Sequence, residues 1–341
     1  MKAMVLQHLG SLSGNPRPLS LQELPIPKPG AHELLIQVST CGVCHTELDE
    51  IEGRMPPPKL PIVLGHQVVG RVAALGGRVE GFGLGDRVGV AWIFSACGAC
   101  KFCRAGLENL CPGFMATGRD ANGGYAEFMT VSAVFAHAIP AMFSDAAAAP
   151  LLCAGAIGYR ALRLTGLQSG QRLGLTGFGA SAHLVLKMAR YQFPASEIYV
   201  FARSEEERAF ALELGAVWAG DTTQHSPQKL DAIIDTTPAW LPIVEALANL
   251  DAGGRLVINA IRKESDHSSL LNLDYPQHLW LEKEIKSVAN ITRHDVQAFL
   301  ALAAEMALQP AVQVFHLDAA NEALLELKQG KIRGAKVLTM G

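Results

Sequence analysis

The sequence predicts an α/β protein with a β-rich domain and a second domain built on a doubly wound parallel sheet. The chain has 341 residues, which is enough for about two domains. Its first third contains short β-prone runs between proline and glycine clusters, whereas strands and helices alternate from about residue 172 onward. A glycine-rich turn joins the first of those later strands to its helix.

The first third is predicted to form short strands, because β-branched and other apolar residues cluster in runs of about five. These runs are 2–6, 34–38 and 68–72. Proline and glycine clusters at 25–30 and 55–58 separate them and predict turns. Between about 146 and 163 the chain becomes alanine-rich, which favours helix.

The middle of the chain is predicted to alternate strands with helices, the pattern of a parallel sheet. The predicted strands are 172–176, 197–202, 232–235 and 255–260, and the predicted helices are 183–191 and 205–214, the latter ended by Gly215. Two further helices, at 296–307 and 319–328, and a last strand at 335–338 complete the pattern.

Four of the seven cysteines lie within 15 residues at the spacing C-x2-C-x2-C-x7-C. Four thiolates can surround one tetrahedral ion with no open position, which is typical of a structural zinc site. A zinc-ribbon nucleic-acid binder would share this cluster, but the net charge of −3 provides no basic surface for nucleic acid. The predicted ligands are Cys97, Cys100, Cys103 and Cys111.

Two more cysteines, Cys44 and Cys153, are widely separated in sequence, and His66 lies between them. Each thiol taken alone could be a core residue. Together with an imidazole they form a three-ligand set that leaves a fourth position for water or substrate, the pattern of a catalytic zinc. Cys41, the seventh cysteine, is interpreted as a small buried hydrophobe.

The glycine-rich turn fits G-x-G-x-x-A at Gly177, Gly179 and Ala182. Glycines there let backbone N–H groups approach a pyrophosphate, and the helix N-terminus adds partial positive charge. The pattern alone is common, but its place between a strand and a helix within a βαβ unit predicts a dinucleotide site.

The second predicted strand ends in Ala202-Arg203-Ser204, without the acid that binds the ribose 2′-hydroxyl of NAD. Arg203 and Ser204 would suit a 2′-phosphate, so NADP(H) is favoured over NAD(H). A structural alternative stays open, since Ser204 begins a capping-box sequence and Glu205 to Glu207 would repel a phosphate.

Composition excludes several other functions. No stretch at the start has the order of a signal peptide, and no apolar run approaches the roughly 20 residues that span a bilayer. Cysteines clustered at metal-ligand spacing indicate a protein of the reducing cytoplasm rather than a small secreted protein held together by disulfides. We therefore expect a cytoplasmic protein that acts on small molecules and binds neither nucleic acid nor membrane.

With these residues assembled, the chain resembles the zinc-dependent alcohol dehydrogenases of the medium-chain dehydrogenase/reductase family over essentially its full length. The matching segments are 41–46, 64–70, the four-cysteine run, 123–127, 150–155 and the glycine turn. The resemblance implies a GroES-like catalytic domain at 1–150 and 290–341 and a Rossmann domain at 151–289. It also implies a homodimer or homotetramer.

The resemblance assigns roles to individual residues. Cys44, His66 and Cys153 correspond to the catalytic zinc ligands, and the four-cysteine run corresponds to the structural zinc, giving two zinc ions per chain. Thr46 corresponds to the hydroxyl that passes the alcohol proton outward, and His45 to a basic residue that faces the cofactor pyrophosphate. Met55 and Trp92 fall where the family lines its substrate pocket, although Trp92 could equally be core packing.

The implied reaction interconverts alcohols and aldehydes or ketones, with zinc polarising the oxygen and a nicotinamide exchanging the hydride. An NADP enzyme would more often run as a reductase. Two alternatives stay open: a quinone or enoyl reductase of the same fold, and a catalytically silent zinc-binding relative that serves a structural or sensing role.

Several residues depart from the family pattern. Gln67 replaces the usual glutamate beside the zinc, and Glu47 replaces the usual aspartate that would support the histidine ligand. Asp49 stands where many members carry the histidine that ends the proton relay, so we expect a slower proton step or a substitute such as His45. Near the C-terminus, Arg333 lies close to a family arginine position without occupying it.

Overall fold

A computed structural model describes residues 1–263, 266–330 and 334–341, so Arg333 lies outside the described residues. The strands are β1 (Lys2–Leu6), β2 (Leu19–Glu23), β3 (Glu33–Val43), β4 (Ile62–Val63), β5 (Val68–Leu75), β6 (Arg87–Val90), β7 (Ile93–Ser95), β8 (Met115–Ala116), β9 (Phe128–Ser132), β10 (Ala136–Ala138), β11 (Arg172–Thr176), β12 (Glu197–Phe201), β13 (Trp218–Gly220), β14 (Leu230–Asp235), β15 (Leu250–Ile258), β16 (Glu284–Ser287), β17 (Val312–His316) and β18 (Ala335–Thr339).

The helices are α1 (His45–Ile51), α2 (Lys101–Arg104), α3 (Asp145–Ala148), α4 (Ala154–Thr165), α5 (Ala180–Gln192), α6 (Glu205–Glu213), α7 (Leu241–Asn249), α8 (Tyr275–His278), α9 (Arg293–Glu305) and α10 (Ala320–Lys328). Short 3-10 turns occur between several of these elements. Within the described residues, no helix is both long and apolar enough to cross a bilayer.

The chain divides into two compact units. The terminal unit comprises Met1–Cys153 and Ile291–Gly341, and the central unit comprises Ala154–Asn290. The predicted α/β fold class is confirmed, because a β-rich unit and a parallel-sheet unit are both present.

The terminal unit is built around a mixed sheet in the order β10-β6-β5-β3-β18-β17, with β9 also paired to β3. β18 from the C-terminal segment pairs antiparallel with β3, so both ends of the chain contribute to one sheet. A smaller sheet has the order β2-β1-β4. β3 is the longest strand at 11 residues, and its side chains are mostly buried.

The central unit holds a parallel sheet in the order β13-β12-β11-β14-β15-β16. Its inner strands are almost wholly apolar and buried, as expected for a parallel sheet covered on both faces. Strand order reverses between β11 and β14, and crevices at such switch points bind ligands beyond the carboxyl ends of the strands.

Most of the long periodic elements lie where the sequence predicts them, and the differences are physically understandable. The predicted helix at 146–163 is instead α3, a 3-10 turn around Pro150 and then α4, because proline lacks the N–H that a continuous helix needs. β16 was not predicted, because all four of its residues are exposed and its sequence has no apolar run.

Candidate functional site

The register of two antiparallel strands brings Cys44 and His66 together. In the β3–β5 pair Cys41 lies opposite Val68, so the residue after β3 and the histidine before β5 meet at one end of the pair. Cys44 is the N-cap of α1, and its Sγ accepts a hydrogen bond from the N–H of Thr46 at 3.3 Å. Cys153 follows the 3-10 turn that ends at Leu152.

The three donor atoms form a compact cluster in the terminal unit. His66 Nε2 lies 3.6 Å from Cys44 Sγ and 3.4 Å from Cys153 Sγ, and all three atoms lie within 4.8 Å of one another. His66 is buried, while Cys44 and Cys153 are partly exposed. Zinc binds two thiolates and an imidazole nitrogen readily, and three protein ligands leave one position open.

Glu47 fixes the imidazole of His66. Its Oε1 lies 2.6 Å from His66 Nδ1, and its Oε2 accepts a hydrogen bond from the N–H of Cys44 at 2.8 Å. The carboxylate is fully buried. A carboxylate at Nδ1 holds the proton on that nitrogen, so the lone pair of Nε2 faces the two thiols and can bind a metal.

The surroundings of this cluster shift the pKa values of Cys44 and His66. The neighbouring Cys153 thiol, followed by burial and the Glu47 carboxylate, raises the pKa of Cys44 well above its ordinary value. Burial lowers the pKa of His66, but Glu47 and Cys44 outweigh it and raise that pKa well above the ordinary value. A divalent cation binds thiols in competition with their protons, and two cysteine sulfurs with one imidazole nitrogen fit zinc.

The other residues predicted for this site have distinct surroundings. The ring of Trp92 meets the imidazole of His66 edge-on at 5.0 Å between centroids, and Trp92 is buried. Thr46 is buried, Met55 is half-buried and His45 is exposed. Asp49 is buried and forms an ion pair with Arg54, at 2.5 Å between Oδ1 and Nε.

Gln67 is buried against β3 rather than exposed to solvent. An added Cβ on Gly42 would lie 2.6 Å from Gln67 Oε1, so glycine at position 42 leaves room for this amide. The backbone carbonyl of Gln67 accepts a hydrogen bond from the N–H of Gly42 at 2.9 Å.

The sequence analysis missed Glu50, which is fully buried three residues after Glu47 on α1. Among the described residues, neither of its carboxylate oxygens has a hydrogen-bond partner. Burial, and then the charge of Glu47, raises its pKa well above the ordinary value. The available signal was the i, i+3 spacing of two glutamates, which puts both on one face of a helix.

The four-cysteine segment also gathers its donors. The four Sγ atoms lie within 4.8 Å of one another, with Cys103 and Cys111 buried. Backbone N–H groups point at the sulfurs: the N–H groups of Cys97, Cys100, Cys103 and Gly113 all donate to Sγ atoms at 3.3–3.5 Å. Such N–H groups stabilise thiolates, and hydrogen bonds from the backbone of Ala99 and Cys100 lower the pKa of Cys97 to about 6. Four thiolates fit a closed tetrahedral zinc site.

The glycine turn lies at the carboxyl end of β11 in the central unit. Gly177 has φ of 75°, and an added Cβ would lie 2.9 Å from Thr236 Oγ1, so this position requires glycine. Gly179 is the N-cap of α5, and a Cβ there would meet no described atom within 4 Å. Ala182 is buried. This geometry matches a phosphate-binding helix N-terminus.

At the tip of β12, Arg203 is exposed and Ser204 caps α6, since its Oγ accepts a hydrogen bond from the N–H of Glu207 at 3.1 Å. The sequence analysis missed Arg208. Its Nη1 donates to the carbonyls of Ala202 and Arg203 at 2.8 Å and fixes the backbone of this tip. An arginine one helical turn past an N-cap was the only signal in the sequence.

Comparisons with known proteins agree with this arrangement. Residues 30–141 match the family model of the alcohol dehydrogenase GroES-like domain. The chain is 44% identical over 326 residues to a probable alcohol dehydrogenase, AdhA, of Mycobacterium tuberculosis, covering 94% of this chain and 92% of that protein. It is 32% identical over 335 residues to an alcohol dehydrogenase of Geobacillus stearothermophilus, covering 94% and 96%.

A solved structure extends the similarity to three dimensions. A cinnamyl alcohol dehydrogenase from Sorghum bicolor superimposes with a TM-score of 0.82 at 26% identity, covering 99% of this chain and 97% of that one. The similarity therefore includes both units and the segments that hold both cysteine sites.

Proposed function

The chain belongs to the zinc-dependent alcohol dehydrogenases of the medium-chain dehydrogenase/reductase family, and we propose that it interconverts alcohols and aldehydes or ketones with NADP(H). The observation that best supports this proposal is the cluster of Cys44, His66 and Cys153, with Glu47 at the far side of the imidazole. When bound, zinc would polarise the substrate oxygen and the nicotinamide would exchange the hydride.

The chain itself would position the metal and move the proton. Glu47 and Trp92 would hold the His66 ring from two sides, and Thr46 would accept the alcohol proton first. The carboxylate of Asp49 is engaged in an ion pair with Arg54, which supports His45 as the next proton acceptor. A large loss of turnover in Asp49→Asn, with none in His45→Ala, would transfer this role to Asp49.

The preference for NADP(H) is supported by the tip of β12. No acid occupies the end of this strand, and the guanidinium of exposed Arg203 makes no hydrogen bond or ion pair with another described residue. Ser204 is already engaged as a helix cap, so we propose that Arg203 makes the main contact with the 2′-phosphate.

Replacing Arg203 with alanine is expected to weaken NADPH binding by about 1.5–3 kcal/mol, the worth of a charged hydrogen bond, and to leave NADH binding nearly unchanged. Fluorescence titration of the two cofactors measures this difference. Arg172→Ala, at the amino edge of the same sheet, is the matched control and should alter neither affinity. Equal effects of Arg203→Ala on both cofactors would show that this residue does not read the 2′-phosphate.

We further propose that the protein assembles from copies of itself through the edge of its parallel sheet. β16 ends the sheet, is exposed along its length, and has Tyr275, Trp280 and Leu281 nearby with more than half of their surface exposed. An exposed edge strand with apolar neighbours is a template for pairing with a second chain. Light scattering that gives a monomer at micromolar concentration would refute this.

The proposed activity is tested with aldehydes from short aliphatic to aromatic, each assayed with NADPH and NADH before and after zinc removal. We expect oxidation of NADPH that depends on the aldehyde and ceases without zinc. Reduction of quinones or enones that survives zinc removal would favour a reductase of the same fold instead. Absence of turnover with every substrate would favour a catalytically silent relative.

The unpaired cysteines support placing this activity in a reducing cytoplasm.

A further inference from the structure

A buried ion pair lies at the switch point of the parallel sheet. Asp235 is the last residue of β14 and is fully buried, and Lys263 follows β15 with a side chain only 10% exposed. Lys263 Nζ lies 2.6 Å from Asp235 Oδ2. Strand order reverses beside β14, so the pair lies at the edge where open α/β sheets bind their ligands.

Both partners use their hydrogen-bonding capacity on the protein itself. Besides Asp235, Lys263 Nζ donates to the carbonyls of Thr237 at 2.8 Å and Ala239 at 3.1 Å. An ammonium has three N–H groups, and these three acceptors account for all of them. Lys263 therefore has no donor left for a cofactor phosphate, which excludes a direct phosphate-binding role in this conformation.

Asp235 connects the two strands that flank the switch point. Its Oδ1 accepts hydrogen bonds from the hydroxyl of Thr176, the last residue of β11, at 3.1 Å and from the hydroxyl of Thr237 at 2.7 Å. The N–H of Thr237 adds a third contact at 3.3 Å. One carboxylate thus joins the end of β11 to the segment that follows β14.

That segment packs directly on the glycine turn. The N–H and the hydroxyl of Thr236 both donate to the carbonyl of Thr176, at 2.9 and 3.0 Å. An added Cβ on Gly177 would lie 2.9 Å from Thr236 Oγ1 and 3.0 Å from a methyl carbon of Thr237. The position of residues 236–239 therefore determines the space available to the turn that would hold the pyrophosphate.

A buried ion pair is a poor way to gain stability alone, because desolvation of both charges offsets their attraction. Burial raises the pKa of Asp235 despite the opposing influence of Lys263, which reflects this cost. Apolar residues of similar volume would often serve stability equally well. The several hydrogen bonds that this pair makes are better explained by a role in positioning the backbone segments that it joins.

We propose that the Asp235–Lys263 pair is a positioning device for dinucleotide binding: it fixes residues 236–239 against the glycine turn and so preforms the site for the cofactor. This inference rests on the proposed cofactor role of the turn. It concerns a feature that NAD(H) and NADP(H) share, so both cofactors should depend on the pair equally, in contrast to Arg203.

The test separates positioning from stability. Lys263→Met leaves Asp235 buried and unpaired, so we expect a lower Tm and at least about a tenfold rise in Kd for both NADH and NADPH. The double variant Asp235→Asn/Lys263→Met leaves no unpaired charge and should recover much of the Tm. Its cofactor Kd should nevertheless remain raised, because the bonds from Lys263 to the carbonyls of Thr237 and Ala239 are still missing.

Cofactor binding is measured by nucleotide fluorescence without an alcohol or aldehyde. The test therefore gives a result even if the protein does not catalyse the proposed reaction. If Lys263→Met does not fold, the double variant decides alone. The control is Arg172→Met/Glu197→Gln, which removes an ion pair at the amino edge of the same sheet and should leave Kd unchanged. A double variant that binds both cofactors with wild-type Kd would overturn the proposal and reduce the pair to a structural element.

Discussion

Replacing His66 with alanine is expected to abolish alcohol and aldehyde turnover while the protein remains folded. The substitution removes the only nitrogen donor of the three-ligand cluster, which leaves two partly exposed thiols to hold the ion. Polarisation of the substrate oxygen by a metal is worth several kcal/mol, so we expect kcat/KM to fall by on the order of a thousandfold or more. Zinc content should fall from about two ions per chain to about one.

The protein should remain folded because Glu47 keeps a partner after the substitution. Its Oε2 still accepts the N–H of Cys44, although the loss of the 2.6 Å contact with Nδ1 will lower stability. Cys41→Ala is the matched control, since it removes a buried thiol near this site that belongs to neither donor cluster. It should retain activity and both ions. Full activity of His66→Ala would show that the cluster is not catalytic.

Spacing along the chain identifies residues whose chemistry requires particular residue types at fixed intervals. Four cysteines within 15 residues and a glycine turn after a strand are such patterns, and the structure gathers the first and places the second at a helix N-terminus. Cys44, His66 and Cys153 are far apart in sequence, so only their residue types suggested a shared metal, and the family resemblance then supported that grouping. The register of β3 with β5 brings Cys44 and His66 together, and Cys153 follows the 3-10 turn that ends at Leu152.

Other residues could not be predicted because their roles depend on what they meet in the fold. Asp235 and Lys263 are 28 residues apart and pair only because β14 and β15 lie side by side. Glu50 reads as a solvated helix residue until packing buries it. The partner of Asp49 was not predictable either, because its ion pair with Arg54 is set by the turn after α1. Because their members are far apart in sequence, such pairs cannot be predicted unless the order of the strands in the sheet is known.

Replacing Cys100 with serine is expected to release the ion of the four-cysteine cluster and to lower stability substantially. This segment has little regular structure of its own, only α2 and a 3-10 turn at Glu108–Leu110. We therefore expect its conformation to depend on the N–H to sulfur bonds and on a metal. The free energy of binding a structural zinc is folding free energy, about 10–16 kcal/mol in small zinc domains, so losing one ligand should cost several kcal/mol.

The damage should extend beyond the cysteine segment. Glu108 lies between Cys103 and Cys111, and its Oε1 is 2.5 Å from Nε of Arg293, the first residue of α9. A disordered segment would break this contact and leave α9 less well held. For a loss of several kcal/mol, we expect Tm to fall by on the order of 10 °C.

Metal analysis and thermal unfolding of Cys100→Ser check this expectation together. Zinc should fall to about one ion per chain, and the ion that remains should be the one that supports turnover at low temperature. Cys41→Ser makes the same chemical exchange in the same unit at a thiol outside both clusters, so it should keep both ions and most of the Tm. Two bound ions and a wild-type Tm in Cys100→Ser would show that neither metal binding nor stability depends on Cys100 and would contradict this prediction. Retained turnover in Cys100→Ser together with lost turnover in His66→Ala would assign the structural ion to the four-cysteine cluster and the catalytic ion to Cys44, His66 and Cys153.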